Sequence, residues 1–153
     1  MKVCIGGTFN TLHKGHKSII DKAFEVAGKN GSVFIGLATG KLLKNKKGTN
    51  PLKLRKKNLE KYLTKKRFIN RATIKPIADK YGPSIEEDFD AIVVSPETIK
   101  TAEEINNKRI QKGKKPLKII QVSFVLAKDR KTISSTRIIN KEIDENGEIL
   151  YGD

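Results

Sequence analysis

The chain has 153 residues, 37% of them hydrophobic, and 32 Lys and Arg against 17 Asp and Glu give it a formal net charge of +15. That length can bury a single core without disulfides or a structural metal, and a lone cysteine, Cys4, excludes an intramolecular disulfide framework and a Cys-rich zinc site. No apolar run reaches the roughly 20 residues that a membrane-spanning helix needs, and the opening MKVCIGGTFN has glycines where a signal peptide would carry its apolar region, so a cytoplasmic protein is expected.

Short β-branched runs alternate with stretches of helical period, the pattern of a parallel sheet with crossover helices. Residues 3–5 predict a first strand that breaks at Gly6 and Gly7. A helix over 15–27 follows, with Ile19, Ile20, Ala23, Phe24 and Ala27 on one face and Gly28, Asn30 and Gly31 to stop it. Residues 33–38 read as a buried second strand, and 39–50 as a polar, lysine-rich loop. Asn50 before Pro51 reads as an N-cap with proline at the first helical position, opening a helix that turns Leu52, Leu59, Tyr62 and Leu63 inward. Residues 72–77 predict a third strand, 79–83 a loop, 91–94 a short apolar fourth strand and 97–111 a helix ended by Gly113. A fifth strand over 117–125 and a last helix from Ser134 or Ser135 complete the series. The fold class expected is α/β: a single Rossmann-like, doubly wound domain over 1–153 with a mainly parallel five-stranded sheet, taking ligands at the carboxyl ends of its strands.

Both histidines fall just after the first strand, in Gly6-Gly7-Thr8-Phe9-Asn10-Thr11-Leu12-His13-Lys14-Gly15-His16. A glycine pair lets backbone N–H groups approach an anion, and the turn into a helix points that helix's N-terminus at it. Two imidazoles there add donors to phosphate oxygens, and the small Gly15 between them leaves room for a base or phosphate against the backbone. Taken alone, the pair reads first as a glycine turn with two solvent-exposed histidines, and zinc would need carboxylates to complete its ligands, so no metal ligands are assigned. After Ile133, Ser134-Ser135-Thr136-Arg137 brings three hydroxyls and a guanidinium to another helix start. That set makes an anion pocket, or, taken alone, an ordinary N-cap.

In combination and in this order, His13-Lys14-Gly15-His16 and the segment from Ile133 to Arg137 resemble the nucleotidyltransferase superfamily of the HxGH type. Gly6-Gly7-Thr8-Phe9, Asp79-x-Tyr81-Gly82-Pro83, Val93-Val94-Ser95-Pro96-Glu97-Thr98, Ile105-Asn106-x-x-Arg109, Pro116-Leu117 and Asp129 narrow the resemblance. Across almost the whole chain they look like archaeal-type phosphopantetheine adenylyltransferase, related also to the corresponding domain of eukaryotic coenzyme A synthase. The resemblance implies transfer of AMP from ATP, with Mg2+, to 4′-phosphopantetheine, giving dephospho-coenzyme A and pyrophosphate.

The resemblance also implies roles. His16 would contact the α-phosphate and bridging oxygen, His13 would support the ATP phosphates beside it, and Gly7 would share in ATP binding. Thr8 and Phe9 would bind the phosphopantetheine side. Ser134, Ser135 and Thr136 would hold the β- and γ-phosphates, with Arg137 adding charge. A lysine after the second strand would bridge the two substrates; position suggests Lys44, with Lys41, Lys46 and Lys47 also within reach. Arg55 on the following helix is a further candidate, beside a salt-bridging role. Asn10 stands where such proteins carry aspartate. Ser95-Pro96-Glu97-Thr98 replaces the arginines of bacterial relatives, so Glu97, Thr98, Asn106 and Arg109 are expected to supply adenine or phosphate contacts.

Another adenylyl- or cytidylyltransferase of this fold, with nicotinamide mononucleotide or flavin mononucleotide as acceptor, would keep both anion sites. The net charge invites a nucleic-acid-binding module instead. Yet 26 of the 32 basic residues are lysines and the nine aromatics form no run interleaved with them, so the expected partners are small-molecule substrates, with no nucleic acid and no membrane.

Overall fold

Continuous apolar runs make strands that are covered on both faces, and the computed structural model, which describes residues 1–44, 46 and 48–150, realises them as one sheet. Its strands are β1 (Lys2–Gly7), β2 (Ser32–Ala38), β3 (Ala72–Ile77), β4 (Ala91–Val94) and β5 (Lys118–Gln121), in the order β3-β2-β1-β4-β5, with every pairing parallel. Alternation along each strand divides the core. Val3, Ile5, Val33, Ile35, Ala91 and Val93 face the helices α1 (Lys14–Ala27) and α2 (Leu52–Lys65). Cys4, Phe34, Ile92 and Val94 face α3 (Ile99–Gln111), which contributes Ala102 and Ile105. Ile20, Ile35, Leu59 and Leu63 are fully enclosed, and each such side chain contributes about 1.5–3 kcal/mol.

The chain winds outward from β1 through β2 and β3, then returns to β4 and winds the other way to β5. That reversal creates a switch point between β1 and β4, where strand ends diverge and a crevice opens. The expected doubly wound α/β domain is therefore present, and its sheet is wholly parallel. Among the described residues no helix is long and apolar enough to cross a membrane.

Several boundaries differ from the sequence expectation. Strand β1 runs through Gly6 and ends at Gly7 instead of breaking there, because both glycines pair with β2, and α3 starts at Ile99 rather than at 97. Helix α2 starts at Leu52 with Pro51 in the N-cap position and no side-chain cap, because Asn50 is engaged by Asn10 instead. Strand β5 stops at Gln121 rather than at 125: the Val122 N–H still reaches the Val94 carbonyl, but the Val125 carbonyl accepts from Ile133 N–H, outside the sheet. Residues beyond it build a small module on Ala127, Ile133 and Ile143, containing α4 (Ser135–Ile139). The loop after β2 contains a 3-10 turn over Gly40–Leu43. Helix α1 ends as expected at Gly28, whose φ of 80° lies in the region that favours glycine.

Candidate active site

The end of β1 leads into a tight turn in which Phe9 and Leu12 both adopt the left-handed region, with φ of 48° and 43°. Non-glycine residues hold such angles only where packing over-determines them, and here both side chains are buried. The turn delivers His13 to the N-cap of α1. Its Nδ1 accepts the backbone N–H groups of Gly15 at 3.0 Å and His16 at 3.3 Å. In return, His16 Nδ1 accepts the His13 N–H at 3.2 Å, so the two residues form a capping box in which imidazoles replace the usual hydroxyl and carboxylate.

With each Nδ1 an acceptor, each ring carries its proton on Nε2. The rings stack with centroids 3.7 Å apart, and the edge of Phe9 closes on His16. Burial lowers His13 to about 4. His16 falls to about 3, through burial first and then the nearby charges of His13 and Lys46. Both are thus neutral N–H donors near pH 7. A Cβ on Gly15 would lie 2.8 Å from His13 Cε1, so the middle glycine makes room for the first histidine's own ring.

Beside this pair, Lys46 Nζ donates to Thr8 Oγ1 at 2.6 Å. Arg55, 2% exposed, ties the same region together from beneath: Nη1 donates to the carbonyls of Thr8 and Ala38, and Nε to that of Asn50. Thr11 Oγ1 and Ser135 Oγ stand 3.0 Å apart, joining the histidine turn to the Ser-Ser-Thr segment 124 residues away. Ser134 Oγ accepts the Arg137 N–H as the N-cap of α4, and Thr136 is exposed. A cavity of about 190 Å³ opens on the α3 side of the switch point. Its walls include Phe34, Ile77, Ile92 and Ile105, with Thr8 and Lys46 also lining it. A larger cavity of about 380 Å³, bounded by Lys2, Thr73, Lys75 and Glu87, shares none of these polar groups.

The tight turn at the β1/β4 switch point and the His-x-Gly-His start of α1 lie within residues 4–141, which match the cytidylyltransferase-like family model. The chain belongs to the cytidylyltransferase-like family. Within that family it belongs with archaeal relatives named phosphopantetheine adenylyltransferase, which are nucleotidyltransferases. The Methanosarcina mazei protein of that name is 46% identical over 149 residues, spanning 97% of this chain and 96% of that one. A bifunctional phosphopantetheine adenylyltransferase/NTP phosphatase of Thermoplasma volcanium is 47% identical across 98% of this chain and 45% of its own length. A crystal structure from Archaeoglobus fulgidus, titled as a protein with unknown function, superposes with a TM-score of 0.72 at 36% identity, covering 80% of this chain and 89% of that one.

The family frame makes the misplaced expectations informative. Arg109, 2% exposed, donates to the carbonyls of Ser84, Ile85, Glu87 and Lys115, and so pins the 84–87 turns to α3 instead of reaching a nucleotide. Asn106 brackets Leu117, accepting its N–H at 2.7 Å and donating to its carbonyl at 2.9 Å. Arg137 forks onto Asp129 and the Thr132 carbonyl, so its guanidinium is paired within the fold. The Phe9 ring is 2% exposed and packs edge-on against His16.

Among the loop lysines, Lys46 and not Lys44 meets Thr8: Lys44 is an exposed residue at the end of the 3-10 turn, Lys41 is exposed within it, and Lys47 lies outside the described residues. Glu97 is exposed, and Thr98 accepts the Ser95 N–H, both at the carboxyl end of β4 beside the crevice. Gly7 closes β1, where a Cβ would press on the Phe9 ring at 3.3 Å. Among the described residues no three His, Cys, Asp or Glu side chains converge.

Proposed function

We propose that the chain transfers the adenylyl group of ATP to the phosphate of 4′-phosphopantetheine, releasing pyrophosphate and forming dephospho-coenzyme A. The observation that carries this reading is the meeting of Thr8 and Lys46 beside two neutral histidine N–H groups, at the edge of an apolar cavity. It joins with the names of relatives that match the chain end to end.

The chemistry follows from charge. A phosphate oxygen of the acceptor attacks the α-phosphorus, and the bond from that phosphorus to the oxygen leading to the β-phosphate breaks. The attacking group is already an anion, so no general base is needed, which suits histidines held near 4 and 3. Their task is to donate Nε2–H bonds: His16 to the α-phosphate and bridging oxygen as charge builds there, His13 to the neighbouring ATP phosphates. Thr8 and Lys46 would hold the acceptor's phosphate in line, with the pantetheine arm in the apolar cavity. Ser134, Ser135 and Thr136 would hold the departing β- and γ-phosphates through their hydroxyls, and Glu97 and Thr98, at the carboxyl end of β4, would supply adenine or phosphate contacts. Positioning of this kind lowers the barrier by removing orientational freedom before reaction. Mg2+ would enter with ATP, screening the phosphates of that substrate.

The deciding experiment offers purified protein MgATP with 4′-phosphopantetheine, nicotinamide mononucleotide or flavin mononucleotide, and measures pyrophosphate and the adenylylated product. Dephospho-coenzyme A is expected from the first acceptor alone. Turnover with either mononucleotide and none with phosphopantetheine would overturn the assignment while leaving the family intact.

A further inference from the structure

The Lys46 N–H is held locally by the Leu43 carbonyl at 3.0 Å, but residues 49–51 after it carry no regular structure, and a side chain from the phosphate turn reaches across to them. Asn10, 4% exposed, is the side chain that does so. Its Oδ1 accepts the Asn50 N–H at 2.7 Å, and its Nδ2 donates to the Gly48 carbonyl at 3.1 Å. The partners determine how the amide is turned, since an N–H can meet only the oxygen and a carbonyl only the nitrogen. Asn50 answers with its own amide at the Asn10 carbonyl, 3.5 Å away, and Arg55 anchors the Asn50 carbonyl to the same Thr8 turn. Two residues before Gly48, Lys46 stands with its ammonium on Thr8.

We infer that Asn10 is a positioning residue for Lys46, using both sides of its amide to hold residues 48–50 against the phosphate turn so that the ammonium meets the acceptor's phosphate. The inference rests on the acceptor reading of Thr8 and Lys46 given above. It also explains why an amide serves at this position in this chain. Aspartate could accept from Asn50 but would set a second acceptor against the Gly48 carbonyl, losing one hydrogen bond and leaving that carbonyl unpaired.

The test compares Asn10→Asp and Asn10→Ala, each alone and with Lys46→Ala, by steady-state kinetics and by hydrogen exchange at the Asn50 amide. Asn10→Asp should raise the KM for 4′-phosphopantetheine roughly tenfold, with kcat and the KM for ATP changed by less than about twofold. In the Lys46→Ala background the same substitution should change that KM by less than about twofold, because the group it positions is gone. Asn50 should lose exchange protection in Asn10→Ala and keep it in Asn10→Asp. Full additivity with Lys46→Ala, or unchanged KM values with Asn50 still protected in Asn10→Ala, would overturn the inference. Asn10→Asp is nearly isosteric and carries the kinetic arm should Asn10→Ala fail to fold. Wild-type protein inert toward phosphopantetheine would count against the acceptor assignment alone, and the exchange arm would still decide the clamp.

Discussion

His13 and His16 are held by hydrogen bonds that span two or three residues, whereas Lys46 is held at Thr8 across 38. The histidine turn carries its own scaffold: the rings satisfy the first N–H groups of α1, and those N–H groups orient the rings. Nothing beyond the turn has to be assembled for the two Nε2–H donors to share one side. The lysine half has local bonds from Lys46 N–H to the Leu43 carbonyl and from Thr49 Oγ1 to the Lys46 carbonyl, but its place against the turn also uses Asn10 and Arg55 to join separate segments. The difference teaches where each half is vulnerable. A change inside the histidine turn should strike the donors directly, whereas the lysine half can be displaced from a distance with the fold intact.

The comparison can be broken most sharply at His16. His16→Ala should lower turnover by at least roughly 100-fold while the fold survives and the lost cap lowers the melting temperature by only a few degrees, measured by pyrophosphate release beside a thermal melt. Near-normal turnover would remove the histidine half from the chemistry. Gly15→Ala comes next. Alanine is the better helix former by about 1 kcal/mol, but its methyl would sit 2.8 Å from His13 Cε1 and push the ring aside. Turnover should fall by roughly 10- to 100-fold while stability changes little. A variant as active as wild type would show that the ring has another place to go.

On the other half, Lys46→Ala should raise the KM for 4′-phosphopantetheine about tenfold, equivalent to about 1.4 kcal/mol, and Lys44→Ala should leave it unchanged. Equal effects from the two would dissolve the distinction between the loop lysines. The gentlest effect is on stability against pH. Unfolded histidine titrates near 6.5, the folded pair at about 4 and about 3, so between those values the unfolded chain binds protons that the folded chain does not. Stability from this source is complete above about pH 6.5 and is lost as pH falls toward 4 and 3, by up to about 1.4 kcal/mol per pH unit for each histidine. Denaturant titrations at pH 7.5 and 5 should show the loss, and His13→Gln with His16→Gln should flatten it. An equal slope in that double variant would assign the acid sensitivity to carboxylates instead.

Arg55 and Arg109 sharpen the same lesson. Both are buried guanidiniums that serve backbone carbonyls, and both lie on the inner face of a helix. One lies under the turn after β1, and the other under the 84–87 turns, where its partner Ser84 lines the cavity. No spacing rule distinguishes them, because a carbonyl is a carbonyl wherever the chain brings it.

Much of the architecture was legible in the residues alone. Apolar runs and helical period are local signals, and β3 over Ala72–Ile77 and β4 over Ala91–Val94 match the runs residue for residue. His13-Lys14-Gly15-His16 was legible as a site for a similar reason, since a turn, a helix start and two imidazoles are complete within a few residues. The end of β5, the cap of α2, the choice of Lys46 over Lys44 and the structural duty of Asn106 and Arg109 were decided only by the tertiary structure. Each of these depends on which distant carbonyl, amide or hydroxyl arrives alongside, and that is a consequence of packing two faces of one sheet. The +15 charge was plain from the composition. That Lys46 is brought to Thr8, beside two histidines kept neutral by burial, became visible only when the strand ends met.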